Sequence, residues 1–218
     1  LQAIQDADTT VYGIKNWIRN APERGIILRH DVDRLPHNAL QMAQLEAEYN
    51  IQSTYYFRIG NHTFKPKIIL AIYDLGHEIG YHYEDLSLAK GDINKALQLF
   101  ENHLEKLRNI VPIETIAMHG RPLSPYDNRD LWKDADFSKY GITGEAFLSI
   151  NYQDKYYFTD TGRSWGAESL NLRDNVKSNK MEPIKGTDQL ADFIKKEGAD
   201  KNIAIVAHPE RWNSTILK

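Results

Sequence analysis

The sequence predicts an α/β fold with a mostly parallel sheet. Short apolar or aromatic stretches of strand composition alternate with stretches in which apolar residues recur at helical spacing. Parallel strands need long crossovers, and helices usually supply them. The 218 residues show no fixed repeat and no low-complexity tract, which predicts a single domain over residues 1–218.

The predicted elements follow one another in strand–helix order. The strand candidates are residues 25–33, 53–57, 78–82, 113–119, 146–150, 156–159 and 203–208. The helix candidates are residues 36–49, 67–76, 92–108 and 188–196. Apolar residues at helical spacing, Val11, Ile14, Trp17 and Ile18, predict that residues 1–24 form an N-terminal helical extension.

The stretch RHDVD ends the first predicted strand. Because side chains alternate along a strand, Asp31 and Asp33 should emerge on one face, with His30 and Val32 on the other. Two neighbouring carboxylates repel each other, so they share a proton or have a cation beside them. The alternative is structural: Asp33 precedes a helix that begins near Pro36 and would serve as its cap.

Other predicted strands also end in ionisable residues, and in parallel α/β folds ligands bind at these carboxyl ends. Five strands that end this way predict one shared site. The strand-end residues are Asp31, Asp33, His82, His119, Asp160 and His208.

The remaining histidines have structural interpretations. His37 and His103 fall on predicted helices and His62 in a loop, which predicts that all three are surface residues. His77 opens the strand that His82 closes, and roughly 16 Å of strand separates them, so His77 is predicted to be structural.

The amino-acid composition bears on the partners and metal ligands that the chain can use. Lys and Arg total 27 against 30 Asp and Glu, a net charge of −3, and the scattered basic residues do not favour a nucleic-acid partner. Cysteine is absent, so any metal must be held by His, Asp, Glu, backbone or water. No apolar run reaches the length of a membrane span, and the first residues do not read as a signal peptide. The cytoplasm is the default expectation. The chain begins with Leu, which leaves an upstream leader open, and the sequence does not predict an oligomeric state.

Six motifs occur in order: RHDVD, STYYF, GHEIGYH, HGRPLSPY, TDTGRSW and IVAHP. Together they resemble the polysaccharide deacetylases of the NodB-homology group, carbohydrate esterase family 4, over roughly residues 26–212. More narrowly, they look like a subgroup associated with bacterial surface-polysaccharide gene clusters. The resemblance implies an irregular (β/α) barrel of about seven mostly parallel strands. It also implies a divalent-metal hydrolase that removes acyl groups, usually acetyl, from amino sugars, with a carbohydrate as substrate.

The resemblance also implies roles for individual residues. Asp31 matches the catalytic base, Asp33 an acidic metal ligand and His82 the first metal histidine. His208 matches the catalytic acid, and Arg121 matches an arginine that orients the catalytic Asp. Asp160 and Trp165 fall in the fourth-motif region, and Asp160 is predicted to belong to the catalytic group. The predicted sugar-binding residues are Tyr126, Trp165 and Trp212, although both tryptophans also suit a core position.

One position departs from the family pattern. A second metal histidine is expected four residues after His82, where this chain has Leu86. His119, Asp85 and Glu84 are the candidates for the missing ligand. His119 is preferred because it ends its own strand, whereas Asp85 also reads as a helix cap.

An Asp and His donor set suits zinc or another first-row metal. Two alternatives remain open at this stage. One is a metal-independent amide or imide hydrolase of the same fold, and the other is a carbohydrate-binding module without catalytic activity.

Overall fold

The computed structural model describes residues 1–161, 165 and 176–212. In this part of the chain the strands are β1 (Val11–Tyr12), β2 (Gly25–Val32), β3 (Thr54–Phe57), β4 (Glu78–Tyr83), β5 (Thr115–Met118), β6 (Gly144–Glu145), β7 (Tyr156–Thr159) and β8 (Asn202–Ala207). The α-helices are α1 (Gln2–Asp6), α2 (Ile14–Asn20), α3 (Pro36–Glu48), α4 (Pro66–Asp74), α5 (Asp85–Leu88), α6 (Ile93–Arg108) and α7 (Thr187–Glu197). None of these helices is both long and apolar enough to cross a membrane.

The strands form one parallel sheet in the order β6-β5-β4-β3-β2-β8-β7, and β1 pairs with β2 outside this path. The seven strands of the path curl into an irregular (β/α) barrel, as the sequence predicted. Asp31 lies opposite Tyr56 of β3, and His82 lies opposite Ala117 of β5. Because all paired strands are parallel, their carboxyl ends meet at one rim.

Alternation along the strands separates an outer core from an inner one. Tyr55 and Tyr81 face outward into a core shared with α3, α4 and α6, where Phe100 is fully buried. Tyr56 faces inward, and a Cβ on Gly80 would lie 2.2 Å from its ring, so glycine is required on the neighbouring strand. Each buried large apolar side chain contributes roughly 1.5–3 kcal/mol, and these cores hold the helices on the sheet.

A buried carboxylate ties α3 to three consecutive parts of the sheet. Glu46 is 1% exposed and lies 2.7 Å from His30 Nε2 of β2. It accepts hydrogen bonds from Ser53 Oγ at 2.7 Å and from Tyr55 Oη at 2.9 Å. His77, just before β4, lies 3.7 Å from the same carboxylate. The side of β2 opposite Asp31 is therefore fixed by polar contacts to a helix.

Two predicted elements differ from the structure. Val11 belongs to a strand, because it pairs with Ile26, and the helix begins only at Ile14. Residues 146–150 are not a strand: β6 ends at Glu145, whose carboxylate accepts hydrogen bonds from the backbone N–H of Phe147 and Leu148. Those N–H groups are thus satisfied in a turn, and the chain leaves the sheet.

His103 also differs from its predicted surface position. Its side chain is 13% exposed, and its Nδ1 lies 2.7 Å from the buried carboxylate of Asp85. His37 and His62 are exposed as predicted, and His77 is buried against the carbonyl of Ala43.

Candidate functional site

A cavity of about 550 Å³ lies at the carboxyl ends of β2, β4, β5 and β8. Five of the six strand-end residues predicted from the sequence line it: Asp31, Asp33, His82, His119 and His208. The sixth, Asp160, contacts His208. The strand-end pattern therefore does collect these side chains at one place.

Local backbone geometry at the end of β2 presents two acids to this cavity. The N–H of Asp33 bonds to the carbonyl of Asp31 at 3.2 Å, which turns the chain immediately after the strand. Leu35 then adopts a left-handed conformation with φ of 48° and precedes α3. Asp33 is not a side-chain cap of that helix. The structure thus does not place Asp33 in the alternative capping role.

Asp31 is paired with a buried arginine from its own strand. Asp31 and Arg29 are each 1% exposed, and Arg29 Nη2 lies 3.4 Å from Asp31 Oδ2. The guanidinium stacks 4.3 Å from the ring centroid of Phe147, and its nitrogens have no hydrogen-bond acceptor among the described residues. Burial alone lowers the pKa of Arg29, but the charge of Asp31 raises it above its ordinary value. Arg29 therefore stays cationic and compensates the charge of Asp31.

The second acid faces two histidines. Asp33 Oδ1 lies 3.5 Å from His82 Nε2 and 3.4 Å from His119 Nε2. This Oδ1 is buried and makes no hydrogen bond. Burial alone raises the pKa of Asp33, but His119 and His82 hold it well below its ordinary value. The arrangement presents one carboxylate oxygen and two ring nitrogens to the same space.

The other nitrogen of each ring is already engaged. His82 Nδ1 lies 2.9 Å from the carbonyl of Ala117, and His119 Nδ1 lies 3.0 Å from Glu84 Oε2. Carbonyl and carboxylate oxygens only accept, so both Nδ1 atoms carry a proton and both Nε2 atoms can present a lone pair. Burial lowers the pKa of His119, but Asp33 and Glu84 raise it to about 9. His119 therefore carries a proton on Nε2 unless another cation takes its place.

Among the described residues, no group of three or more His, Asp or Glu side chains is arranged as a complete metal site. The chemistry of Asp33, His82 and His119 nevertheless fits a divalent cation. Two ligands about 2.0–2.2 Å from a tetrahedral ion lie roughly 3.4 Å apart, which is close to the two separations seen here. A carboxylate behind a ligating histidine, as Glu84 lies behind His119, is the usual partner of such a ligand.

Of the other two candidate ligands, Glu84 contacts His119 Nδ1, and Asp85 lies next to Leu86 and away from the cavity lining. Leu86 is 3% exposed and packs in the outer core. Asp85 is fully buried and accepts from Tyr81 Oη at 2.7 Å, while its other oxygen contacts His103. Asp85, the first residue of α5, is therefore engaged by Tyr81 and His103. Its side chain does not cap the helix, contrary to the alternative interpretation.

Arg121, which the resemblance matches to an arginine that orients the catalytic Asp, lines the cavity with Asp31. Its Nη1 lies 3.4 Å from Glu84 Oε2, on the side of the cavity that holds His119. Arg58 donates to the same carboxylate, at 2.7 Å from Nη2. Burial alone raises the pKa of Glu84, but His119 and Arg58 lower it to about 2. Asp31 has a cationic neighbour of its own in Arg29.

His208 and Asp160 form a buried pair on the opposite side of the cavity. His208 Nδ1 lies 2.6 Å from Asp160 Oδ1, and the backbone N–H of His208 donates to Asp160 Oδ2 at 3.0 Å. Trp212 Nε1 donates to Asp160 Oδ2 at 3.0 Å, and Arg211 donates to the Asp160 carbonyl. Burial lowers the pKa of His208, but Asp160 and Asp31 raise it to about 9. His208 is thus protonated at neutral pH.

None of the predicted sugar-binding aromatics is among the described residues that line the cavity. Trp165 is 6% exposed, belongs to a hydrophobic core and donates to Thr187 Oγ1 at 3.1 Å. Tyr126 packs over Gly91, where a Cβ would lie 2.4 Å from its ring. Trp212 is 38% exposed and its ring centroid is 6.0 Å from that of Trp165. The core interpretation therefore suits Trp165, and Tyr126 fixes its loop against the turn before α6.

Sequence reasoning missed the basic residues of this site. Arg34, Arg58 and Arg211 line the cavity, and Glu210 lines it with a buried carboxylate oxygen that has no partner. Only Arg29 carried a usable signal: it lies two residues before Asp31 in a strand and so faces the same side. The other arginines follow strands in irregular turns, where sequence periodicity does not predict the direction of a side chain.

A parallel (β/α) barrel with acids and histidines at its carboxyl rim has these residues where barrel enzymes place their active sites. No family model and no curated protein matches the chain, but solved structures do. A carbohydrate esterase family 4 (CE4) enzyme from Streptococcus mutans is 16% identical with a TM-score of 0.52, and the match covers 94% of this chain and 82% of that one. PdaA of Bacillus subtilis, a family 4 carbohydrate esterase, is 15% identical with a TM-score of 0.50, over 94% and 74% of the two chains.

BA3943 of Bacillus anthracis, a CE4 family pseudoenzyme, is 13% identical with a TM-score of 0.47. The match covers 86% of this chain, which spans little more than half, 56%, of that protein.

The fold is that of the family 4 carbohydrate esterases. The NodB-like barrel that the motifs predicted is thus confirmed at the level of fold.

Proposed function

We propose that this protein is a metal-dependent hydrolase that removes an N-acyl group, usually acetyl, from an amino sugar or polysaccharide. The observation that carries the proposal is the convergence of three functional groups on one cavity: Asp31 with Arg29, the Asp33–His82–His119 donor set, and His208 with Asp160. Amide hydrolysis needs a base for water, an acid for the leaving amine and stabilisation of the developing oxyanion.

Asp33, His82 and His119 would hold the ion, with zinc the best match for one carboxylate and two imidazoles. When bound, a divalent ion supplies Lewis-acid polarisation of the acyl carbonyl and acidifies water. Glu84 fixes the tautomer and orientation of His119, and the Ala117 carbonyl does the same for His82.

Asp31 would act as the base. It lines the cavity with Oδ2 4.0 Å from His82 Nε2, and its Oδ1 makes no hydrogen bond to the described residues. This oxygen is thus available to take a proton from water. Arg29 forms an ion pair with Oδ2, the other oxygen of the carboxylate. The carboxylate therefore keeps its orientation while Oδ1 exchanges a proton.

His208 would act as the acid. Its Nδ1 is fixed by Asp160, and the raised pKa of about 9 keeps its ring protonated at neutral pH. Nε2 then delivers the proton that the amine requires as the C–N bond breaks.

Two alternatives are set against this proposal. Leu86, in place of the usual second histidine, favours a metal-independent amide or imide hydrolase of the same fold. A binding module without catalysis would keep the cavity and release no acid. Retention of both Asp31 and His208 argues against the binding module.

The test measures acetate release from N-acetylated amino sugars and oligosaccharides, with protein as purified, after chelation and after zinc is restored. We expect activity that chelation abolishes and zinc restores. Asp31→Asn should lower kcat by about 10²–10⁴-fold, because general-base catalysis contributes that much, while bound zinc is unchanged.

Asp74→Asn, an exposed carboxylate at the end of α4, is the matched control and should retain full activity. Activity that survives complete metal removal would support the metal-independent hydrolase. Sugar binding without acid release by any form of the protein would support the binding module.

A further inference from the structure

The cavity is rich in arginine. Four arginines are among the described residues that line it: Arg34, Arg58, Arg121 and Arg211. Among the described residues the acids that line it are Asp31, Asp33 and Glu210, and Asp31 already has its own cation in Arg29. A divalent ion at Asp33 would add further positive charge. The electrostatic field of the rim therefore favours an anion.

No Phe, Tyr or Trp side chain is among the described residues that line this cavity. Residues 162–164, 166–175 and 213–218, which the structure does not describe, contain no Phe, Tyr or Trp. Uncharged sugar rings are commonly bound on the faces of aromatic side chains, which offer apolar area and a polar edge. This site offers guanidinium groups instead.

Two of the arginines are placed to contact a ligand. Arg34 follows Asp33 directly, is exposed, and has no ionic partner within the described part of the chain. Arg58 contacts Glu84 with Nε and Nη2, and its Nη1 reaches only the Asp33 carbonyl at 3.5 Å. The Glu84 carboxylate is shared with His119 and Arg121. Within the described residues, Arg58 thus shares its one carboxylate partner, Glu84, with His119 and Arg121.

We propose that the substrate is an acylated amino sugar that also carries an anionic group, a carboxylate or a phosphate, and that Arg34 and Arg58 bind this group. The reaction at the acyl group rests on the function proposed above, whereas recognition of the anion does not. Guanidinium groups pair with carboxylates and phosphates through two parallel N–H bonds, which gives direction as well as strength.

The test compares binding of four probes by calorimetry with the Asp31→Asn protein: N-acetylglucosamine, its 1-phosphate, its 6-phosphate and N-acetylglucosaminuronic acid. We expect at least one anionic probe to bind about tenfold tighter than the neutral sugar or better, since charge-assisted hydrogen bonds are the stronger ones. Raising the salt concentration should weaken only the anionic probes. Tighter binding of the phosphates identifies the anionic group as a phosphate, and tighter binding of the uronic acid identifies it as a carboxylate.

Arg34→Gln should remove about tenfold of that advantage and leave the affinity for neutral N-acetylglucosamine unchanged. Arg34→Lys should restore part of it. The matched control is Arg24→Gln. Arg24 is exposed, pairs with Asp200 and precedes β2, at the end of that strand opposite to Arg34. This substitution should leave the affinities for all four probes unchanged. Equal affinity for all four probes, or an equal loss for neutral and anionic probes in Arg34→Gln, would overturn the inference.

Acetate release distinguishes this inference from the proposed function. Release from neutral sugars with no preference for the anionic probes would keep the deacetylase and refute the anion site. Selective binding of an anionic probe with no release from any of the four would keep the anion site and refute the deacetylase.

Discussion

Arg29 and Asp31 lie two residues apart on β2 and face the same side of the sheet. A buried guanidinium without a hydrogen-bond acceptor is costly unless a charge compensates it. Its neighbours are the carboxylate of Asp31 and the ring of Phe147. Arg29 therefore compensates the charge of Asp31 and positions the carboxylate of the proposed base.

At the same scale, Asp160 sets the protonation of His208. Replacement of Asp160 by Asn removes the negative charge nearest to the ring, so the pKa of His208 should fall from about 9 towards its ordinary value of 6.5. The proposed acid works only when protonated, so activity is lost as pH rises through this pKa. We therefore expect the alkaline limb of the pH profile of kcat/KM to move to lower pH in Asp160→Asn.

The measurement is a pair of pH–rate profiles, with Asp154→Asn as the control. Asp154 is exposed just before β7, at the opposite end of the same strand, and its loss should leave the profile unchanged. An alkaline limb that stays in place in folded Asp160→Asn protein would show that His208 is not the acid.

At the scale of elements, β2 carries the site on one side and is fixed by α3 on the other. Glu46 of α3 contacts His30, which lies between Arg29 and Asp31 in sequence. The same carboxylate binds Ser53 and Tyr55 of the β3 region. The inward position of Asp31 thus depends on polar contacts made by its outward neighbour.

Glu46→Gln should destabilise the protein by about 2–4 kcal/mol, because it removes one charge of a buried hydrogen-bonded network. Burial alone raises the pKa of Glu46, but His30 and Ser53 hold it below its ordinary value of 4.5. The stabilising contribution is therefore present above pH 4.5 and is lost as pH falls through the depressed pKa. The difference between wild type and variant should shrink in acid.

Urea unfolding at several pH values measures this effect. Glu48→Gln is the matched control, since Glu48 ends the same helix in an exposed position, and it should change the free energy of unfolding by less than about 0.5 kcal/mol. If Glu46→Gln behaves like this control, the cluster does not hold α3 on the sheet.

At the scale of the whole molecule, the sequence predicts the elements that have a periodic pattern. It does not predict features that depend on contacts between segments far apart in the chain. Alternating strand and helix patterns gave the parallel barrel, and the strand-end residues gave the cavity. The two-residue strands β1 and β6 carry no periodic signal, because their pairing partners lie elsewhere in the chain. The buried position of Trp165 and the pairing of Arg121 with Glu84 also depend on packing between distant segments. Sequence spacing contains no record of such contacts.

The donor set also joins three strands, since Asp33 follows β2, His82 lies in β4 and His119 follows β5. An ion held there would bind the folded state alone and stabilise it by mass action. Zinc at about 100 times its dissociation constant adds roughly 2.7 kcal/mol. For a chain of this size that is a rise in Tm of about 5–10 °C.

Thermal unfolding of chelated protein with increasing zinc tests this expectation. His119→Ala should abolish the rise in Tm, because it removes one of three protein ligands, whereas His37→Ala, an exposed histidine on α3, should leave it intact. A rise that persists in His119→Ala would place the ion elsewhere. No rise in the unmodified protein would remove the metal from the mechanism. Asp31 and His208 would then have to activate water and protonate the amine by themselves, which is the chemistry of the metal-independent alternative.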